Sequence, residues 1–128
     1  GYRKLTMVAR LIANGSLDDK GYLFWDEPEA NLNPRLIKRL APLLLDLASG
    51  GVQVFIATHS LYLMRELEMQ RAERKKTVKA RFFGLRPGSN GVDVSQGSSL
   101  TASGDIAALD EDLLQAERVL DQAMGVPQ

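Results

Sequence analysis

Two adjacent carboxylates, Asp26 and Glu27, directly follow a short apolar run, Tyr22–Trp25. A run this short and aromatic, bounded by Gly21 and Pro28, predicts a buried β-strand with the acids at its carboxyl end. Ligands bind at that edge in open α/β sheets. Asp26 could hold Mg²⁺, which prefers few protein carboxylates and keeps several waters. Glu27 could deprotonate an attacking water within hydrogen-bonding reach. The residues alone leave a second interpretation open, a strand that ends in a solvated acidic turn.

His59, the single histidine of the chain, follows a second short apolar run, Val52–Thr58. Residues 35–48 between the two runs have helical spacing, with Pro42 expected to kink or break the helix. Strand, helix and strand in this order predict a βαβ unit with parallel strands. Since parallel strands end at the same edge of a sheet, His59 is expected beside the two acids. A lone histidine at a strand end is more often structural, but this proximity favours a site.

Three motifs in this region resemble those of a known class of enzymes. Leu23–Pro28 resembles the Walker B strand of ABC-type P-loop ATPases, with its catalytic glutamate. Ala30–Asn33 falls where that class has its D-loop, and Phe55–Ser60 resembles the strand that carries the switch histidine. Asp-Glu-Pro-Glu followed by Leu-x-Pro is more similar to the soluble AAA-family ATPases related to RecF, OLD and SMC proteins than to membrane transporters. The motifs cover residues 22–60, and their order and spacing match as well.

The resemblance implies a role for individual residues. Asp26 would organise Mg²⁺, Glu27 would activate water, and His59 would hydrogen-bond the γ-phosphate of ATP. Asn31 and Asn33 would contact the facing subunit of a homodimer formed through the nucleotide sites, and with Asp26 they form the expected cofactor-binding set. Asn33 departs from the pattern, because the transporter D-loop has Asp at this position and many relatives have His. Asn33 also has the sequence context of a helix N-cap, since Pro34 follows it.

The implied fold is α/β, the C-terminal part of a P-loop NTPase with a parallel sheet, flanking helices, a β-hairpin and a C-terminal helix. No G-x-x-x-x-G-K-[ST] phosphate loop occurs in the 128 residues. We therefore expect residues 1–128 to form one domain whose Walker A half lies upstream or on another chain. Alone, the chain is expected to be inactive, because the N–H groups of that loop supply much of the phosphate binding.

The other segments predict three helices and a hairpin. The helices are expected over residues 2–14, 60–70 and 105–124. The resemblance implies that Arg3 and Lys4, at the start of the first helix, are candidates for phosphate contacts across a dimer, with a solvated basic turn as the alternative. Residues 78–95 predict a β-hairpin around an Asn-Gly turn. We expect this hairpin to extend the edge of the sheet.

Composition excludes several classes of protein. There are 16 basic and 16 acidic residues, so the net charge does not favour nucleic acid or an acidic membrane as partner. The absence of cysteine excludes disulfides and thiolate metal sites. No apolar run approaches the roughly 20 residues that span a bilayer, so we expect a cytoplasmic protein without a membrane partner. A basic cluster at residues 71–81 leaves DNA open as a partner.

The sequence supports two hypotheses about function, which belong to different classes. The first is ATP hydrolysis by a dimeric soluble ABC-type ATPase, with DNA repair and defence among the compatible processes. The alternative is a non-catalytic ATPase-like module that binds a protein or nucleic-acid partner through its hairpin and last helix. A metal-dependent nuclease or phosphatase would need more ligands than one histidine and one close acid pair.

Overall fold

The computed structural model describes residues 2–13, 21–104 and 107–124. Helices and strands are mixed and include a small parallel sheet, as expected of an α/β protein. The chain divides into two compact units, Gly1–Lys79 and Ala80–Gln128. That residues 1–128 form one domain stays a prediction. In order, the elements are α1 (Tyr2–Ala13), β1 (Tyr22–Asp26), α2 (Pro34–Ser49), β2 (Gln53–Ala57), α3 (Leu61–Glu73), β3 (Phe82–Gly88), β4 (Gly91–Gly97), a 3₁₀ turn (Thr101–Ser103) and α4 (Ala107–Met124).

The first unit contains the predicted βαβ arrangement. β1 and β2 pair in parallel, with Tyr22 opposite Gln53 and Asp26 opposite Ala57. The two strands therefore end level with each other. The crossover is α2, and the parallel pairing inferred from the sequence is confirmed.

Helix α2 begins where its capping residues predict. The Asn33 side chain accepts a hydrogen bond of 3.0 Å from the Leu36 N–H, and Pro34 occupies the first helical position. Both choices suit a helix start, because the first N–H groups have no partner within the helix. Seven apolar side chains of α2 are buried, which makes it the central helix of the unit: Leu36, Ile37, Leu40, Ala41, Leu44, Leu45 and Leu47.

Pro42 lies inside α2 without breaking it, so the predicted break is not observed. Proline has no N–H, which deprives the Lys38 carbonyl, four residues earlier, of its helical donor. The Gln70 side chain from α3 donates to that carbonyl instead, at 3.2 Å. Arg74, just after α3, donates to the Pro42 carbonyl at 2.9 Å. Tertiary contacts from α3 thus accommodate the proline.

The two faces of the β1–β2 sheet have different surroundings. Side chains on one face pack against a buried cluster of Val8, Leu47 and Val52. Tyr22, Phe24 and Phe55 on the other face are exposed, and the rings of Phe24 and Phe55 stack with their centroids 4.6 Å apart. The prediction of a buried strand was therefore wrong for this face. Successive side chains of a strand point to opposite faces, and within the described residues only one face is covered.

The second unit contains the hairpin. β3 and β4 pair antiparallel, with Phe82 opposite Gly97 and Gly88 opposite Gly91. The hairpin prediction is confirmed, but β3 begins at Phe82 and continues through Arg86–Gly88, which the sequence assigned to the turn. The expectation that the hairpin extends the β1–β2 sheet is not met within the described residues, where β3 and β4 form a two-stranded sheet of their own. Pairing through a tight turn closes a much shorter loop than pairing with a distant strand.

Helices α1 and α4 correspond to the first and last predicted helices. Asn14, Asp105 and Ile106, at the ends of the predicted spans, lie outside the described residues. None of the described helices is both long and apolar enough to span a bilayer.

Candidate functional site

The site lies at the carboxyl edge of the β1–β2 sheet. The Glu27 N–H donates to the Ala57 carbonyl at 2.8 Å, so the two segments remain hydrogen-bonded one residue beyond the end of β1. Asp26 is the last residue of β1 and Glu27 follows it, while Thr58 and His59 follow the end of β2. The parallel register thus brings acids and imidazole to one edge, where ligands bind in open sheets.

Glu27 and His59 are in direct contact. Glu27 Oε1 lies 2.7 Å from His59 Nδ1. The side chains are 45% and 81% exposed, respectively, so a substrate can reach both. A carboxylate at Nδ1 fixes the orientation of the ring and leaves Nε2 for a second partner. The pair can hold a water or a phosphate oxygen and move a proton at that position.

The backbone of Glu27 has an unusual conformation. Its φ of 44° lies in the left-handed region, which glycine adopts freely and other residues rarely do. Such a conformation costs about 1–2 kcal/mol for a residue with a Cβ. Unfavourable backbone conformations of this kind are concentrated at functional sites, where they direct a side chain.

Asp26 is exposed, and its carboxylate makes no hydrogen bond or ion pair with the described part of the chain. No group of three or more potential metal-ligating side chains occurs among the described residues. The single carboxylate of Asp26 does not fit Zn²⁺, which takes three or four protein ligands. It does fit Mg²⁺, which binds through one or two carboxylates, waters and substrate phosphates.

The turn after Glu27 holds the two predicted asparagines. The Ala30 N–H donates to the Glu27 carbonyl at 3.0 Å and the Leu32 N–H to the Glu29 carbonyl at 2.8 Å. Asn31 is exposed with φ of 64°, a conformation that asparagine tolerates better than most residues. Asn33 is also exposed, and its side-chain oxygen caps α2. Their contacts with a facing subunit stay a prediction.

Three further residues hold the site in place: Glu29 and Thr58, which the sequence did not assign to the site, and Lys4, which it offered as a candidate for phosphate contacts across a dimer. The Lys4 ammonium donates to the Ala30 carbonyl at 3.0 Å, so this basic residue supports the turn of its own chain. The Thr58 hydroxyl donates to Glu29 Oε1 and joins the segments that follow β1 and β2. Glu29 was visible in the sequence as the second glutamate of the run Asp26-Glu27-Pro28-Glu29, but nothing local indicated its partner.

One comparison with known proteins bears on this region. Residues 3–65 match the model of a family described as "AAA domain, putative AbiEii toxin, Type IV TA system". The match runs from α1 into α3 and so includes Asp26, Glu27 and His59. It supports an AAA-type, P-loop ATPase-like domain, and AAA domains are generally ATPases. No curated protein matches the chain.

Proposed function

We propose that this chain is the C-terminal, catalytic part of a soluble ABC-type ATPase that binds and hydrolyses ATP. The observation that carries the proposal is the Glu27–His59 contact at the carboxyl edge of two parallel strands. The family match over the same segment supports the nucleotide as substrate.

Each residue has a definite task in this proposal. Glu27 holds the attacking water and accepts its proton. His59, oriented through Nδ1, hydrogen-bonds the γ-phosphate through Nε2, as a donor when both ring nitrogens carry a proton. Asp26 would hold Mg²⁺ through its free carboxylate, and the ion would neutralise the charge of the phosphates. Asn31 and Asn33 would face the partner subunit in a homodimer. Preorganised charge of this kind provides most of the rate enhancement in phosphoryl transfer.

A phosphate loop has to come from elsewhere, and we assign it to an upstream Walker A half of the same ATPase. The exposed aromatic face of β1–β2 supports this assignment. Purely parallel sheets are normally covered on both faces, yet Phe24 is 73% exposed and Tyr22 66%. In this proposal the upstream half covers the aromatic face and supplies the N–H groups that bind the phosphates.

The hydrolysis of ATP by two proteins tests this proposal: the 128-residue chain and the full-length protein that contains it. Hydrolysis by the full-length protein and none by the chain alone is the expected result. A full-length protein that neither binds nor hydrolyses ATP would refute the proposal.

A non-catalytic interaction module is the second candidate. The hairpin exposes Phe83, Leu85, Val92 and Val94 by about 60% each, an unusual apolar surface for so short a segment. The register places Leu85 opposite Val94, so the two lie on one face. Absence of ATP binding in the full-length protein would favour this role.

A further inference from the structure

Glu29 differs from the other acids of the site in being buried. Its exposure is 9%, whereas Asp26 is exposed and Glu27 is partly exposed. A buried glutamate is rare unless it has a partner, because desolvation of a carboxylate is costly. Its role is therefore to be found in its contacts.

Those contacts form a short relay around His59. Glu29 Oε1 accepts a hydrogen bond from the Thr58 hydroxyl. The same hydroxyl accepts one from the Ser60 N–H at 2.9 Å. A hydroxyl can donate and accept at once, which makes threonine suited to this position. The residues before and after His59 are thereby tied to one carboxylate.

The relay is anchored at both ends. The Leu32 N–H donates to the Glu29 carbonyl, which fixes the turn that carries Glu29. At the other end, the Ser60 hydroxyl accepts a hydrogen bond of 3.2 Å from the Leu63 N–H and caps α3. His59, although its side chain is 81% exposed, sits on a segment with little freedom to move.

We propose that Glu29 is a positioning residue that holds His59 against Glu27 through Thr58. The effect of Glu29 on ATP hydrolysis rests on the proposed function, but its positioning of His59 does not.

The positioning role requires a hydrogen-bond acceptor at Oε1 of residue 29 and does not require a negative charge. The second oxygen, Oε2, is buried without a hydrogen-bond partner among the described residues. Loss of its charge should therefore leave the relay intact, whereas loss of the acceptor should release the loop.

Matched pairs of variants separate these cases. Glu29→Gln keeps an acceptor, while Glu29→Met has a similar size and lacks one. Thr58→Ser keeps the hydroxyl, while Thr58→Val keeps the shape without it. Circular dichroism and the melting temperature of each variant establish that the fold is retained.

The measurement is the ¹H NMR signal of the imidazole at constant pH, in the 128-residue chain. The chain has one histidine, so the signals need no assignment. Glu27→Gln provides the reference for a ring without its carboxylate partner. We expect Glu29→Met and Thr58→Val to move the His59 signals most of the way to this reference, and Glu29→Gln and Thr58→Ser to leave them near the wild-type values.

Wild-type signals in folded Glu29→Met and Thr58→Val proteins would overturn the proposal. If Glu29→Met does not fold, the Thr58 pair decides, because it breaks the same relay with a smaller change.

The NMR result does not depend on ATP. In the full-length protein, we expect Glu29→Met to lower kcat at least tenfold with little change in KM, and Glu29→Gln to restore it. A shifted NMR signal without any wild-type hydrolysis would contradict the proposed function and leave the positioning role of Glu29 in place.

Discussion

His59 Nδ1 lies 2.7 Å from Glu27 Oε1, and each residue follows the end of one of two parallel strands. The contact depends on register, since β1 and β2 end level and the Glu27 N–H extends their pairing by one bond. A shift of one strand by one residue would separate the two side chains and turn the side chains of the shifted strand to the opposite face. The fold thus positions a carboxylate and an imidazole for joint chemistry.

The left-handed backbone conformation of Glu27 should affect the free energy of unfolding of variants at this position. Glu27→Gly and Glu27→Ala both lose the His59 contact, so this loss cancels when the two are compared. Alanine keeps the cost of a Cβ at positive φ, about 1–2 kcal/mol, which glycine avoids. We expect the Gly variant to be more stable than the Ala variant by about 1 kcal/mol after its greater unfolded-state entropy is subtracted. Urea denaturation measures this difference.

The control for this pair is an ordinary helical position, Arg39, which is exposed on α2. There Arg39→Gly should be less stable than Arg39→Ala by about 1 kcal/mol. We therefore expect the glycine variant to be the more stable of the two at position 27 and the less stable at position 39. If alanine is the more stable residue at position 27 as well, the backbone of Glu27 is not strained.

Asn33 allows its two predicted roles to be separated. Asn33→Ala removes the acceptor for the Leu36 N–H and should lower the free energy of unfolding by about 1 kcal/mol. Asn33→Ser keeps a capping oxygen and should retain most of the stability. Equal losses in both variants would contradict the capping role. Reduced ATP hydrolysis by a stable Asn33→Ser protein would show that the side chain also acts at the nucleotide site.

A double-mutant cycle tests how α2 accommodates Pro42. Gln70→Ala removes the donor to the Lys38 carbonyl and should cost about 1 kcal/mol. Pro42→Ala returns a backbone donor to that carbonyl, so Gln70→Ala should cost about 0.5 kcal/mol less in this background. The hydrogen bond from Gln70 to Glu66 is present in both backgrounds and cancels. Additive losses measured by urea denaturation would show that the two residues act independently.

Local patterns in the sequence were sufficient to predict the elements around the site. The apolar runs at Tyr22–Trp25 and Val52–Thr58, and the Asn33-Pro34 helix start, each depend on neighbouring residues. The shared edge of Asp26, Glu27 and His59 followed from one further rule, that a short βαβ connection joins parallel strands.

What the sequence did not predict depends on contacts between distant segments. The partner of Glu29 is Thr58, on a different loop, and the donor that compensates for Pro42 comes from Gln70 on α3. The strands of the hairpin were predicted, but not that β3 and β4 pair only with each other among the described strands, because strand propensity does not specify the neighbouring strand. Side-chain hydrogen bonds between loops leave no periodic signal in a sequence.

The most direct test of the proposed function is ATP hydrolysis by the full-length protein, wild type against Glu27→Gln, with Glu73→Gln on α3 as the matched control. Glutamine keeps the size of Glu27 but cannot accept a proton from water. We expect Glu27→Gln to bind ATP and to hydrolyse it at least 100-fold more slowly, about the lower limit for loss of a general base. The Glu73→Gln protein should match the wild type. Hydrolysis by Glu27→Gln at the wild-type rate would contradict the assignment of Glu27 as the base.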